Sequence, residues 1–420
     1  GRRRTADVAV DGDVIAAVGT DLGPGRRTIA AEGALVTPGW VDLHTHYDAQ
    51  ATWDPRLTPS GWHGVTTVVM GNCGVGFAPA HAEARDDLIA MMEGVEDIPG
   101  SALHEGISWE WERFGEYLDA LDRRSWVADV ATQVPHGALR TFVMGERATE
   151  PATPPDIATL AELVAEGLTA GALGFSTSRT PLHRSKDGVL VPGTTADHAE
   201  LFAIADAVRG VGHGVIQMAL HHPEVLEQIP WLRELARRSG HRVTLNLQQI
   251  EEAPTLWRDV AAELDRAAAD DIELWAQVAG RPIGILFSWG ASIHPFHFRS
   301  AFPGLARLEG TELQARLADP DLVARLVGEE PSGLAPFLQA LATDYERMWP
   351  FTGETDYEPP PERSIAALAR ASGRRPTEVL FEQLQRDGGT GLVYFPVFNY
   401  ADRSLEFIRE LQQHSRIQIG

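Results

Sequence analysis

Cysteine occurs once in 420 residues, as Cys73, and lysine once, as Lys186. A lone thiol excludes an internal disulfide, and a reducing cytoplasm is the simplest compartment to expect. Lys186 lies in Ser185-Lys186-Asp187-Gly188, which reads as a solvated turn, so no strand lysine is available as a bridge between ligands. Long apolar runs are missing too. No uninterrupted stretch approaches the ~20 residues needed to cross a bilayer, and no basic-then-apolar leader opens the chain. Positive charge is scarce: 36 Lys and Arg stand against 59 Asp and Glu, a net charge of −23. Such a field repels phosphate backbones and anionic membrane surfaces, so neither nucleic acid nor membrane is expected as a partner.

What is present is ordinary in bulk, with 44% hydrophobic and 23% charged residues, and the length suits one large domain plus a small accessory one. Apolar strands are expected at 40–46, 65–71, 127–134, 171–176, 214–220, 242–248, 272–278, 391–397 and 416–420. Amphipathic helical patterns lie between them, as at 155–168 and 195–208. This alternation predicts parallel βαβ units and an α/β fold, a (β/α)8 TIM-like barrel. Nine strand candidates exceed a closed barrel by one, and 391–397 is the surplus candidate. Residues 76–112 and 281–365 are expected as loops or short helices over the barrel mouth. Residues 1–37, with a hairpin around Asp11-Gly12 and a short strand at 28–36, are expected to form a partial β-sandwich segment. Residues 38–420 would be the barrel, with the chain stopping at its final strand.

The chemistry concentrates at strand exits. In Gly39-Trp40-Val41-Asp42-Leu43-His44-Thr45-His46, strand alternation turns His44 and His46 to the same face. Two imidazoles at a strand's carboxyl end are half of a metal site; the alternative is a polar pair satisfied by backbone groups. The second strand runs into Gly71-Asn72-Cys73-Gly74, where the glycines permit close backbone approach. Cys73 is read either as a thiolate ligand or as a small buried hydrophobe.

These residues carry a resemblance. Pro38-Gly39-Trp40-Val41-Asp42-Leu43-His44-Thr45-His46 is similar to the first-strand signature of the amidohydrolase superfamily. Gly71-Asn72-Cys73-Gly74, Val134-Pro135-His136-Gly137 and Gly171-Ala172-Leu173-Gly174-Phe175-Ser176-Thr177-Ser178 resemble its N-acyl-D-amino-acid deacylase (D-aminoacylase) branch. There a cysteine replaces a carbamylated lysine as bridging ligand. The resemblance implies His44, His46 and Cys73 as metal ligands, one or two Zn2+ ions, and a cation-activated water that hydrolyses the amide of a small N-acyl amino acid. It also implies histidines on the fifth and sixth strands, whereas the corresponding stretches here, Gly214 to His222 and Val243 to Gln249, align none cleanly. The catalytic aspartate after the last strand is expected beyond Gly420, and the chain as given is expected to be nearly inactive. Substrate-binding candidates are Arg179, His183 and Ser176 after the fourth strand, with His136, Arg140 and Arg281 weaker; Arg179 could equally be a structural salt bridge. His63 reads as structural, and Trp109 and Trp111 as loop packing. A dihydropyrimidinase-like cyclic-amide hydrolase and a non-catalytic scaffold barrel are the alternatives.

Overall fold

The computed structural model describes residues 4–353 and 355–420. At the amino end, Asp7–Asp11 (β1) and Val14–Gly19 (β2) pair as an antiparallel hairpin with a register shift at Ala9/Val10. The turn between them places Gly12 at φ 64, a conformation that favours glycine. No strand forms at 28–36, contrary to the sequence expectation; this stretch is exposed and lacks a ladder partner among the described residues. Among the described residues, those up to Trp40 form one compact unit and those from Val41 on another.

Eight strands make one sheet: Trp40–Asp42 (β3), Val65–Met70 (β4), Asp129–Pro135 (β5), Gly174–Ser178 (β6), Val215–Ala219 (β7), Val243–Asn246 (β8), Leu274–Val278 (β9) and Ile417–Ile419 (β13). They lie side by side in chain order, with parallel pairing from β4 through β9 to β13. The last strand returns toward the first. Gly420 N–H donates to Val278 O at 3.0 Å, and a Cβ on Gly420 would lie 3.1 Å from Leu43 Cβ. The result is a nearly closed parallel TIM-like barrel.

Helices on the outside follow the apolar spacing that predicts them. Pro154–Ala170 starts at a Thr153 cap that accepts from Asp156 N–H, carries proline in its first turn and ends at Gly171. Its buried face is Leu160, Val164, Gly167 and Leu168. Each such leucine contributes about 1.5–3 kcal/mol by leaving water. His198–Val211 is built the same way, with Asp197 accepting from Ala199 N–H. No described helix is long and apolar enough to cross a membrane.

The ninth predicted strand is real but belongs elsewhere. Leu392–Phe398 (β12) is the centre of an antiparallel sheet between Ile283–Phe287 (β10) and Trp349–Phe351 (β11). The stretch 281–365, expected as loops and short helices, builds a second hydrophobic cluster around Phe287, Phe296, Leu326 and Phe395. The apolar face of β12 requires this: Val393 and Phe395 point to the same side and are buried against helices that the loop reading did not supply. Asn399 ties this insertion to the loop after β8, its N–H donating to Gln249 O and its side chain accepting from Gln249 N–H, each at 2.9 Å.

Candidate metal centre

β3 continues past its last ladder residue in extended form, and Thr45 fastens it to β4 by N–H and Oγ1 bonds to Val69 O at 3.0 and 2.8 Å. With Thr45 turned toward β4, His44 and His46 lie side by side, ring centroids 5.4 Å apart. The turn after β4 brings the thiol to them. Cys73 sits at φ 56 between Gly71 and Gly74, both at φ 73. A Cβ on Gly71 would meet Gln133 O at 2.2 Å, so glycine there is a steric necessity. Ser176 Oγ donates to Gly71 O and accepts from Gly74 N–H at 3.0 Å, and Asn72 donates to Thr45 O and Val69 O.

His44, His46 and Cys73 each present a donor atom within 4.8 Å of the other two, the group of this kind found among the described residues. His44 Nε2 is 3.1 Å from Cys73 Sγ, and its Nδ1 is 3.2 Å from Gln277 Oε1. An amide oxygen only accepts, so Nδ1 carries the proton and Nε2 turns its lone pair to the sulfur. His46 Nε2 is 3.2 Å from Glu96 Oε1, while His46 Nδ1 is buried without a hydrogen-bond partner. Burial lowers both imidazoles to about 4, with His46 adding to the effect on His44, so both rings are neutral near pH 7. Burial and the Glu96 charge push the Cys73 thiol up. Two neutral imidazoles, one orphaned ring nitrogen and a soft sulfur make a donor set that fits a single borderline cation.

Two carboxyls flank this set. Glu96, the last residue of the helix Arg85–Glu96, is pushed up by burial to about 7. Asp48 is likewise raised to about 7 by burial, against a bond from Gly71 N–H, and its Oδ2 has no partner. Neither was singled out from sequence: Asp48 lies two residues past the histidine pair, and Glu96 reaches it from a helix terminus fifty residues on. The residues at 76–112 thus do supply a helix whose end reaches the donors.

The substrate candidates separate. His183 lies among the site's groups: burial and the charges of His46 and His44 lower it to about 3, and its Nδ1 is 3.0 Å from Ser178 Oγ. Arg179 donates from Nη1 to Ala196 O at 2.5 Å and sits 5.6 Å from the centroid of the Trp231 ring. Ser176 is fully buried, and its hydroxyl is engaged by the cysteine turn. His136 and Arg140 meet in a closed buried cluster: His136 Nε2 is 2.7 Å from Glu200 Oε1, and Arg140 Nη1 donates to both Glu200 oxygens at 2.6 and 2.5 Å. Arg281 lies 5.8 Å over the Tyr357 ring, and His63 is exposed before β4. Trp111 Nε1 donates to Phe77 O at 2.7 Å, which packs that loop.

The profile of the amidohydrolase family matches residues 27–394. D-aminoacylase of Alcaligenes xylosoxydans xylosoxydans is 39% identical over 176 residues, 41% of this chain and 34% of that protein. N-acyl-D-glutamate deacylase of the same organism is 31% identical over 280 residues, 65% of this chain and 52% of the relative. The chain thus aligns with about a third to a half of these curated relatives. A solved structure of D-aminoacylase, described for the functional role of its binuclear metal center, superposes with a TM-score of 0.60 at 23% identity, covering 99% of this chain and 72% of that one. At that identity the superposition bears on the fold. The family profile spans most of the sequence, and the chain belongs to the amidohydrolase family.

Proposed function

We propose that this protein is a metal-dependent hydrolase of non-peptide C–N bonds that cleaves the amide of a small N-acyl amino acid, with zinc held by His44, His46 and Cys73. The observation that carries this reading is the convergence of the three donors around a buried ring nitrogen that has no other partner. The likeness to a D-aminoacylase and an N-acyl-D-glutamate deacylase supports the substrate class and the D configuration. Held by His44, His46 and Cys73, such a cation would supply Lewis-acid activation of the scissile carbonyl and of water, whose pKa it would lower to about 7.

The chain's own groups do the rest. Gln277 fixes the His44 ring so that Nε2 faces inward. Glu96 Oε1, 3.2 Å from His46 Nε2, fixes the His46 ring beside the donor set. His183, kept neutral, offers a hydrogen bond to the substrate from the loop after β6, and Arg179 and Ser176 support that loop and the cysteine turn. The lone cysteine supports a cytoplasmic setting.

Zinc-loaded protein that carries the strand-end aspartate implied by the resemblance is expected to hydrolyse N-acetyl-D-amino acids in preference to the L enantiomers, and chelation is expected to abolish the activity. Inactivity on both enantiomers with metal bound would overturn the substrate assignment. Allantoinase of Escherichia coli (strain SMS-3-5 / SECEC), 40% identical over 73 residues, favours a cyclic amide as the second substrate to try.

A further inference from the structure

Three carboxamides on three consecutive barrel strands face the donor set, Asn246 and Gln277 toward the carboxyl ends of β8 and β9 and Gln217 at the middle of β7. Asn246 and Gln277 are level in the β8–β9 register, and Gln217 is level with Thr244, two residues before Asn246 on the same face. Their polar atoms are committed in a fixed order. Gln277 Oε1 accepts from His44 Nδ1 at 3.2 Å, Gln217 Oε1 accepts from Cys73 N–H at 2.9 Å, and Gln217 Nε2 donates to Asn246 Oδ1 at 2.9 Å. That last bond occupies the Asn246 oxygen, so its amide nitrogen is the group left to face the donor set. Gln217 is 1% exposed, so its order is not traded with water.

We propose that Gln217, Asn246 and Gln277 are positioning residues that aim the His44 and Cys73 lone pairs at one cation and leave no donor on β7–β9 for a second. This rests on the reading of His44, His46 and Cys73 as ligands. The physical logic is one of polarity. Gln277 accepts, so His44 is locked in the tautomer that ligates through Nε2. Gln217 accepts from Cys73 N–H and donates to Asn246 Oδ1, so the cysteine turn is held in one orientation with the Asn246 amide nitrogen turned inward. Gln217 and Asn246 spend their oxygens on Cys73 N–H and on each other, and neutral amides so engaged are poor partners for a second divalent ion. A cation at the strand ends therefore meets donors on the β3 and β4 side and engaged amides within β7–β9, the unpartnered His222 Nε2 lying past the end of β7.

The test uses the full chain with zinc or cobalt(II) as the probe. Wild-type protein is expected to bind one equivalent of zinc. Gln277→Leu removes the acceptor and is expected to weaken zinc binding about 10–100-fold in a chelator competition, whereas Gln277→Glu keeps an acceptor and should bind at least as tightly as wild type. Asn246→Leu is expected to shift the thiolate-to-cobalt charge-transfer band, a signature that loss of packing alone does not move; circular dichroism verifies that each variant is folded. No metal on the wild type would overturn the ligand assignment and this proposal together. One equivalent on the wild type with unchanged affinity and spectrum in both leucine variants, or equal losses in Gln277→Leu and Gln277→Glu, would overturn the positioning role alone. Two equivalents on the wild type would overturn the single-cation clause.

Discussion

Glu200 balances two groups that have no access to water, His136 and Arg140, and is itself 1% exposed. The His136 hydrogen bond and the Arg140 charge hold its carboxyl down at about 2 against the cost of burial. A depressed carboxyl adds stability that is present above the unfolded value near 4.5 and is lost as pH falls toward 2, so acid unfolding should steepen in that window, followed by circular dichroism. Glu200→Gln leaves the Arg140 charge buried and unpaired and should cost about 3–5 kcal/mol in urea denaturation. Cys73→Ala should abolish zinc retention through gel filtration with little change in fold. The donors were legible in the sequence because strand parity and two flanking glycines are local signals. Glu96, Asn246 and Gln277 were not: an isolated acid or amide carries no motif, and only the barrel brings these strand ends and a helix terminus together. His136 and Arg140 read as possible ligand-binding groups because sequence shows their charge but hides the acid sixty residues away that neutralises it.

At the level of elements, the turn Gly71 to Gly74 concentrates the constraint. Gly71→Ala forces a Cβ to within 2.2 Å of Gln133 O in a backbone region that side chains avoid, so the turn must shift. The variant should fold with a lowered melting temperature and lose zinc binding, because displacing the turn carries the sulfur away from His44. Calorimetry and metal analysis on the same sample check both. The barrel strands were readable from apolar runs, and the helix at 154–170 from its period. The failures share a cause. Residues 28–36 have strand-like composition but no ladder partner, and β12 has a strand's pattern but not the partner the alternation of elements implied. Pattern specifies an element's type; pairing is decided by chain that lies far away.

For the whole molecule, cation binding and folding are linked. If the three donors hold zinc, a concentration about 100 times the dissociation constant should stabilise the fold by about 2.7 kcal/mol, seen as a higher melting temperature that Cys73→Ala does not share. The eight-stranded architecture followed from composition and periodicity, while the insertion with its own apolar centre did not, because a sequence that interrupts a repeat looks like loop until its partners are known. That insertion has its interior around Phe296, Leu326 and Phe395, apart from the interior under the barrel helices. Leu326→Ala, at a fully buried position, should remove about 2–5 kcal/mol from the insertion's interior. Amide exchange should then accelerate in β10–β12 while β5–β8 keep their protection. Two interiors give two regions whose opening amide exchange measures separately. Heat or denaturant that opens the insertion first would leave the strands that carry His44 and Cys73 standing, an intermediate seen as early loss of protection in β10–β12 alone.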